Sequence, residues 1–91
     1  MAKAIKINDK DNVAVCVGPI KKGELINCGG VNDRIVAVMD IEAGHKIAIR
    51  SIKKGSYVIK YGEVIGVAVK DISKGAHVHL HNMISTRFKE R

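Results

Sequence analysis

The chain has 91 residues, with 16 Lys+Arg against 9 Asp+Glu and a formal net charge of +7. This length allows one small domain, and no stretch approaches the roughly 18 apolar residues that a membrane span needs. The charge favours an anionic partner, but Tyr57, Tyr61 and Phe88 are the only aromatic residues, too few for the stacking platforms that nucleic-acid bases need. We therefore expect neither nucleic acid nor a membrane as the partner.

Short strands between glycine-containing turns are the predicted elements. Alternating apolar and polar residues, continuous apolar runs and Val/Ile-rich stretches are typical of strands, and no window of 11 residues has a helical stripe. Gly66 marks a bulge or a close backbone approach, and residues 28–33 are predicted to form a hairpin loop. The sequence therefore predicts a mainly β domain with few short helical turns. Its predicted strands cover residues 4–7, 13–17, 34–39, 47–49 and 64–69.

The two cysteines, Cys16 and Cys28, both lie in apolar, strand-like contexts. This placement favours reduced, buried thiols over a disulfide or a nucleophile. The start of the sequence has no apolar stretch typical of a signal peptide. We therefore expect a cytoplasmic protein.

One motif, Ile-x-x-Gly-x-x-[Ile/Val], occurs four times along the chain. In each copy the Ile would enter the core, the next two residues would form an exposed turn, and the Gly would adopt backbone angles that other residues resist. The copies begin 21, 11 and 20 residues apart, and this uneven spacing argues against a solenoid. We call the copies corners 1 to 4, and they span residues 20–26, 41–47, 52–58 and 72–78.

The four histidines all lie in or directly after corners 2 and 4. His45 follows the glycine of corner 2, whereas His77, His79 and His81 alternate with Val78 and Leu80. On a strand, the three alternating imidazoles would share one face, with Val78 and Leu80 in the core. Imidazole can bind a divalent metal or donate hydrogen bonds to a carboxylate, but a polar row on an edge strand would give the same pattern.

A second candidate is the segment around Lys60 and Tyr61, two polar residues in an apolar run followed by Gly62. Lys60 could meet a carboxylate. Alternatively, Lys60 is solvated and Tyr61 packs against the domain.

Residues 44–48, 58–68 and 71–82 resemble the amino-terminal domain of the altronate and galactarate dehydratases, as does the segment 11–15. The combination of Ile59-Lys60-Tyr61-Gly62 with the late His-Val-His-x-His-Asn segment is the specific part. The resemblance implies an all-β SAF domain, related to antifreeze-like modules, with a β-clip fold. It places the domain at 1–91, with a core of about 5–82 and a basic tail at 83–91.

The resemblance also implies a function. The family removes water from sugar acids and depends on a divalent metal, usually Fe2+, with Mn2+ as an alternative. We expect the small subunit of a two-component hydro-lyase that is inactive alone. Its partners would be a large catalytic subunit, which binds most of the metal, and a hexonate or hexarate substrate, with a homo-oligomer also compatible.

The residues implied by the resemblance fall into three groups. The catalytic candidates are His45, His77 and His79; the substrate-binding candidates are Lys46, Lys60, Tyr61, His81 and Asn82; the metal-binding candidates are His79 and His81. Two alternatives stay open. One is the small subunit of a sulfolactate sulfo-lyase, and the other is a non-catalytic basic module that binds anionic polymers or carbohydrate.

Overall fold

A computed structural model of the chain describes residues 2–29 and 34–86. Within these ranges the regular elements are all strands, and they form two sheets. None of the described residues belongs to a helix long and apolar enough to cross a bilayer. The strands are β1 (Ala2–Ile5), β2 (Val13–Cys16), β3 (Leu25–Cys28), β4 (Ile35–Val36), β5 (Lys46–Ala48), β6 (Tyr57–Lys60), β7 (Glu63–Ala68), β8 (His77–Val78) and β9 (Met83–Ser85).

The larger sheet has six strands in the order β4-β3-β1-β2-β5-β8 and curls until its two ends meet. Val38, just after β4, donates its backbone N–H to the carbonyl of Gly75, just before β8, at 3.0 Å. A Cβ on Gly75 would lie 2.0 Å from the carbonyl oxygen of Val36, so only glycine allows this approach. The run that carries three histidines is therefore anchored to the opposite edge of the sheet.

The smaller sheet, in the order β6-β7-β9, covers one face of the larger one. Gly66 lies beside a register shift between β6 and β7, and a Cβ there would be 2.6 Å from the carbonyl oxygen of Ile84. Both interpretations of Gly66, a bulge and a close approach, are confirmed. One buried cluster, around Ile26, Ile35 and Ile47, fills the curl, and a second cluster lies between the sheets.

The four corners form two pairs. Ile20 and Ile41 exchange backbone hydrogen bonds of 2.8 Å, and Ile52 and Ile72 do the same at 2.8 and 2.7 Å. The side chains before the second isoleucine of each pair also match: Asp40 accepts from the N–H of Lys22 at 2.8 Å, and Asp71 accepts from the N–H of Lys54 at 2.9 Å. The corner pairs are thus two copies of one arrangement.

The corner glycines behave as predicted. All four have positive φ, between 83° and 91°. The isoleucines that open the corners are buried, at 2–3% exposure. The predicted role of each corner, a core residue followed by a tight turn, is confirmed.

Several predicted boundaries differ from those in the structure. Residues 83–85 form β9 in the smaller sheet, whereas the predicted core covers about 5–82 and the predicted tail begins at residue 83. The predicted strand at 34–39 shortens to Ile35–Val36, because Ala37 and Val38 bond outside the ladder, to Glu24 and Gly75. Residues 30–33 of the predicted hairpin loop and residues 87–91 of the predicted tail lie outside the described residues.

Candidate functional site

The four imidazoles converge on one place at the edge of the larger sheet. The ring centroid of His45 is 5.0 Å from those of His77 and His79, and His77 is 5.5 Å from His79 and 5.3 Å from His81. Corner 2 leads into β5 and corner 4 leads into β8, and these two strands pair antiparallel. The pairing is what brings His45 beside the distant 77–81 segment.

The 77–81 segment is not a straight strand, so the predicted row of three histidines on one strand face is wrong. Strand β8 ends at Val78, and residues 79–82 form a turn. Leu80, predicted to lie in the core, is 68% exposed because the turn directs it outward. The turn nevertheless keeps the rings of His77 and His81 in contact.

Asn82 holds this turn. Its side chain is buried, its Oδ1 accepts from the N–H of His79 at 3.0 Å, and its Nδ2 donates to the carbonyl of His77 at 2.8 Å. Both ends of the amide are therefore bonded to backbone on either side of Val78. In this structure Asn82 positions the two histidines.

His45 links the cluster to an acidic side chain. Its Nδ1 lies 2.9 Å from His77 Nε2, so one ring donates a hydrogen bond to the other. Its Nε2 lies 3.6 Å from Glu42 Oε1, a carboxylate in the same corner. Glu42 is not among the residues predicted from the sequence, although its position three residues before His45 in a tight turn is a signal for it.

The pKa values of His77 and His79 are both lowered. Burial is the largest cause for each ring, and the neighbouring charge of His45 is the next. A lowered pKa favours the neutral form of these imidazoles at pH 7, the form that can accept a proton or bind a metal.

A pocket of about 270 Å³ adjoins the imidazole cluster. His79 belongs to both, while Lys46 and Lys60 also line the pocket. Burial, and next the charge of Lys60, lower the pKa of Lys46. The remaining lining residues are Ile65, Leu80, Met83 and Ser85.

Lys60 and Tyr61 sit at the tip of the β6–β7 hairpin. The two loop residues, Tyr61 and Gly62, have φ values of 55° and 80°, as in the turn that suits the twist of paired strands. The Lys60 ammonium lies 5.2 Å from the Tyr61 ring centroid, a cation–π contact. Tyr61 is 44% exposed, so it does not pack into the domain as the alternative interpretation proposed.

Asp11 is a buried structural residue that is not among the residues predicted from the sequence. Its fully buried carboxylate accepts from the N–H groups of Gly62 at 2.8 Å, Asn8 at 3.0 Å and Ile7 at 3.2 Å. Burial alone would raise its pKa, but these hydrogen bonds outweigh burial and the pKa is lowered. Asp11 thereby fixes the hairpin tip that carries Lys60.

The donor atoms suit a divalent transition metal. Nitrogen atoms of His45, His77 and His79 all lie within 4.8 Å of one another, and neutral imidazole is a ligand for Fe, Zn and Ni. This set includes His79, one member of the predicted metal-binding pair. His81, the other member of that pair, contacts the set through the ring of His77.

The family model for the altronate/galactarate dehydratase SAF domain matches residues 2–86. Altronate dehydratase of Bacillus subtilis (strain 168) is 46% identical over 82 residues, which are 90% of this chain and 16% of that protein. Altronate dehydratase of Escherichia coli (strain K12) is 44% identical over 78 residues, 86% of this chain and 15% of that protein. The (2R)-sulfolactate sulfo-lyase subunit alpha of Paracoccus pantotrophus is 47% identical over 55 residues, 60% of this chain and 82% of that subunit.

These matches fix the family but cover unequal shares of the relatives. The chain spans only 15–16% of the length of the two altronate dehydratases. The all-β fold, the SAF assignment and a lyase-type family, each expected from the sequence, are confirmed. The chain belongs to the altronate/galactarate dehydratase SAF domain family.

Proposed function

We propose that this chain is the small subunit of a two-component sugar-acid dehydratase of the altronate type, and that a separate large subunit carries most of the catalysis. The observation that carries the proposal is the cluster of His45, His77 and His79, whose nitrogen atoms lie within 4.8 Å of one another beside a lysine-lined pocket. The similarity to a sulfo-lyase subunit alpha over 82% of its length supports a subunit role for a chain of this size.

The chemistry of dehydration matches the groups that the cluster offers. A base must take the proton next to the carboxylate, and an acid must assist departure of the β-hydroxyl. Neutral His77 and His79 can accept a proton, and His45, hydrogen-bonded to His77, can share one with it. Lys60, Tyr61 and His81, around the cluster and the pocket, would bind the polar substrate.

A divalent metal fits the same donors. His45, His77 and His79 would hold it, with the remaining ligands from the large subunit, and Fe2+ or Mn2+ would act there as a Lewis acid on a substrate oxygen. Because the cluster lies at the surface, a second protein can complete it. The free, buried thiols of Cys16 and Cys28 suit a reducing cytoplasm.

Reconstitution with the large subunit tests this proposal. The chain is co-expressed with a separately encoded dehydratase large chain, and keto-acid formation from altronate and galactarate is measured. We expect turnover from the pair and none from either chain alone. His79→Gln should lower kcat by about 100-fold or more while the two chains still co-purify.

Robust turnover by the small chain alone, or an unchanged kcat when the large chain acts alone, would contradict a joint site. Glu24→Gln, in corner 1 and outside the imidazole cluster, is the control for nonspecific loss of activity and should keep kcat.

Sulfolactate desulfonation is the second candidate function, because the Paracoccus pantotrophus relative is named as a sulfo-lyase subunit. Sulfite release from (2R)-sulfolactate by the same reconstituted pair distinguishes it from dehydration.

A further inference from the structure

The pocket beside His79 has a composition that the imidazole cluster does not explain. Lys46 and Lys60 enter it from β5 and β6, and Ile65 and Met83 give it apolar walls. Its volume of about 270 Å³ is at the small end for ligand pockets, so it would enclose one end of a ligand.

The two lysines are held there by structure. Lys46 is half-buried on β5, where its register partners are Val15 and Val78, and it has no salt bridge within the described residues. Lys60 is the last residue of β6, next to the hairpin tip that Asp11 fixes, and its ammonium group lies over the Tyr61 ring. Two like charges on side chains that line one small pocket repel each other, and an anion bound between them would offset that repulsion.

The pocket and the imidazole cluster share His79. A carboxylate held by the two ammonium groups would have its next carbon atoms against Ile65 and Met83 and toward His79. Those next carbons are where a hydroxy acid carries the proton and the hydroxyl group of a dehydration.

We propose that this pocket is a subsite for the carboxylate end of a hydroxy acid, formed by this chain alone through Lys46 and Lys60. The assignment deepens the proposed function and rests on it for the identity of the acid. The binding itself needs no partner subunit.

Binding to the full chain tests the subsite. Backbone amide shifts are recorded by NMR while sodium glycerate is added in a phosphate-free buffer, with glycerol and equal-ionic-strength sodium chloride as separate titrations. We expect saturable shifts at Lys46, His79 and Ser85 with glycerate, and none with glycerol or chloride.

Variants separate the pocket from the general basicity of a chain of net charge +7. Lys46→Met and Lys60→Met should each weaken glycerate binding by about fivefold or more, since each removes one of two cations at the carboxylate. Lys54→Met removes the same charge from exposed corner 3 and should leave binding unchanged. Lys60→Met, at a hairpin end, keeps the test available if Lys46→Met does not fold.

Shifts that do not saturate, or equal weakening by Lys54→Met, would overturn the subsite. Such a failure together with turnover by the reconstituted pair would leave the subunit proposal in place. Saturable glycerate binding without any turnover by the pair would support the subsite and contradict the subunit proposal.

Discussion

Asp11 shows how one buried carboxylate can organise a distant part of this domain. Its two oxygens accept three backbone N–H groups, from the segment just before it and from the β6–β7 hairpin tip. Such a group cannot be replaced by its amide without placing an NH2 donor against a backbone N–H.

Asp11→Asn should therefore lower the free energy of unfolding at pH 7 by about 1–3 kcal/mol. The folded-state pKa of Asp11 lies below its ordinary value, so its contribution is present above about pH 4 and is lost as the pH falls through the folded-state pKa. Urea unfolding of both proteins between pH 7 and pH 2 measures this, and the difference should shrink in acid.

Asp9→Asn is the matched control, because the Asp9 carboxylate is exposed and its ion pair, within the described residues, is the 3.5 Å contact with Lys6. It should change stability by less than about 0.5 kcal/mol. A pH-independent difference for Asp11→Asn would show that ionisation of Asp11 is not what stabilises the hairpin.

The two cysteines make a second prediction at this scale. Cys16 and Cys28 lie in the two strands that flank Ala4, so their Cα atoms are about 9–10 Å apart. This distance is too long for a disulfide between the two residues. Burial, and next the charge of Cys28, raise the pKa of Cys16 to about 11.

Both thiols should be free yet slow to react with a disulfide reagent at pH 8, because little thiolate is present and the sulfur atoms are buried. Addition of urea should release two reactive thiols. Fast labelling of the native chain would contradict their burial.

At the scale of elements, the closure of the curled sheet depends on one glycine. Gly75 has φ +91° and lies against the carbonyl of Val36, where no side chain fits. Gly23 has nearly the same φ, +88°, but nothing lies within 4 Å of its missing Cβ.

Gly75→Ala should therefore lower stability by more than about 3 kcal/mol, whereas Gly23→Ala should lower it by about 1–2 kcal/mol, the cost of positive φ alone. Chemical unfolding midpoints compare the two. Equal losses would mean that the contact with Val36 relaxes without cost.

The turn after β8 is the second element with a testable role. Asn82→Ala removes both backbone bonds that hold His77 and His79, and it should cost about 1–3 kcal/mol. It should also weaken binding of Mn2+ to the full chain, measured by calorimetry, because the donor atoms would no longer be held together.

Asn27→Ala, on the exposed side of β3, is the control and should leave both quantities unchanged. Unaltered Mn2+ binding by Asn82→Ala would show that the turn is not what holds the imidazole donors together.

At the scale of the whole molecule, the features that depend on neighbouring residues could be predicted from the sequence, whereas the long-range pairings could not. Glycine spacing indicated the corners, and apolar context indicated that Cys16 and Cys28 are buried. These depend on backbone angles and hydrophobicity, which are properties of a few neighbouring residues.

What escaped prediction depends on distant partners. The pairing of Ile20 with Ile41 and of Ile52 with Ile72, and the bond from Asp11 to Gly62, join segments 20 to 51 residues apart. The prediction that Leu80 lies in the core extends the alternation of a strand past Val78, whereas the turn held by Asn82 begins there and leaves Leu80 exposed. No pattern of neighbouring residues predicts these contacts between distant segments.

The duplicated corners form a frame that is independent of the imidazole side chains. The bonds that join the corner pairs run between backbone groups and between backbone and Asp40 or Asp71, and none of them uses an imidazole. The frame and the imidazole surface thus depend on different positions, so substitution of the histidines leaves the bonds between the corners intact. A variant in which all four histidines are replaced should still form both sheets and could serve as a scaffold for designed active sites.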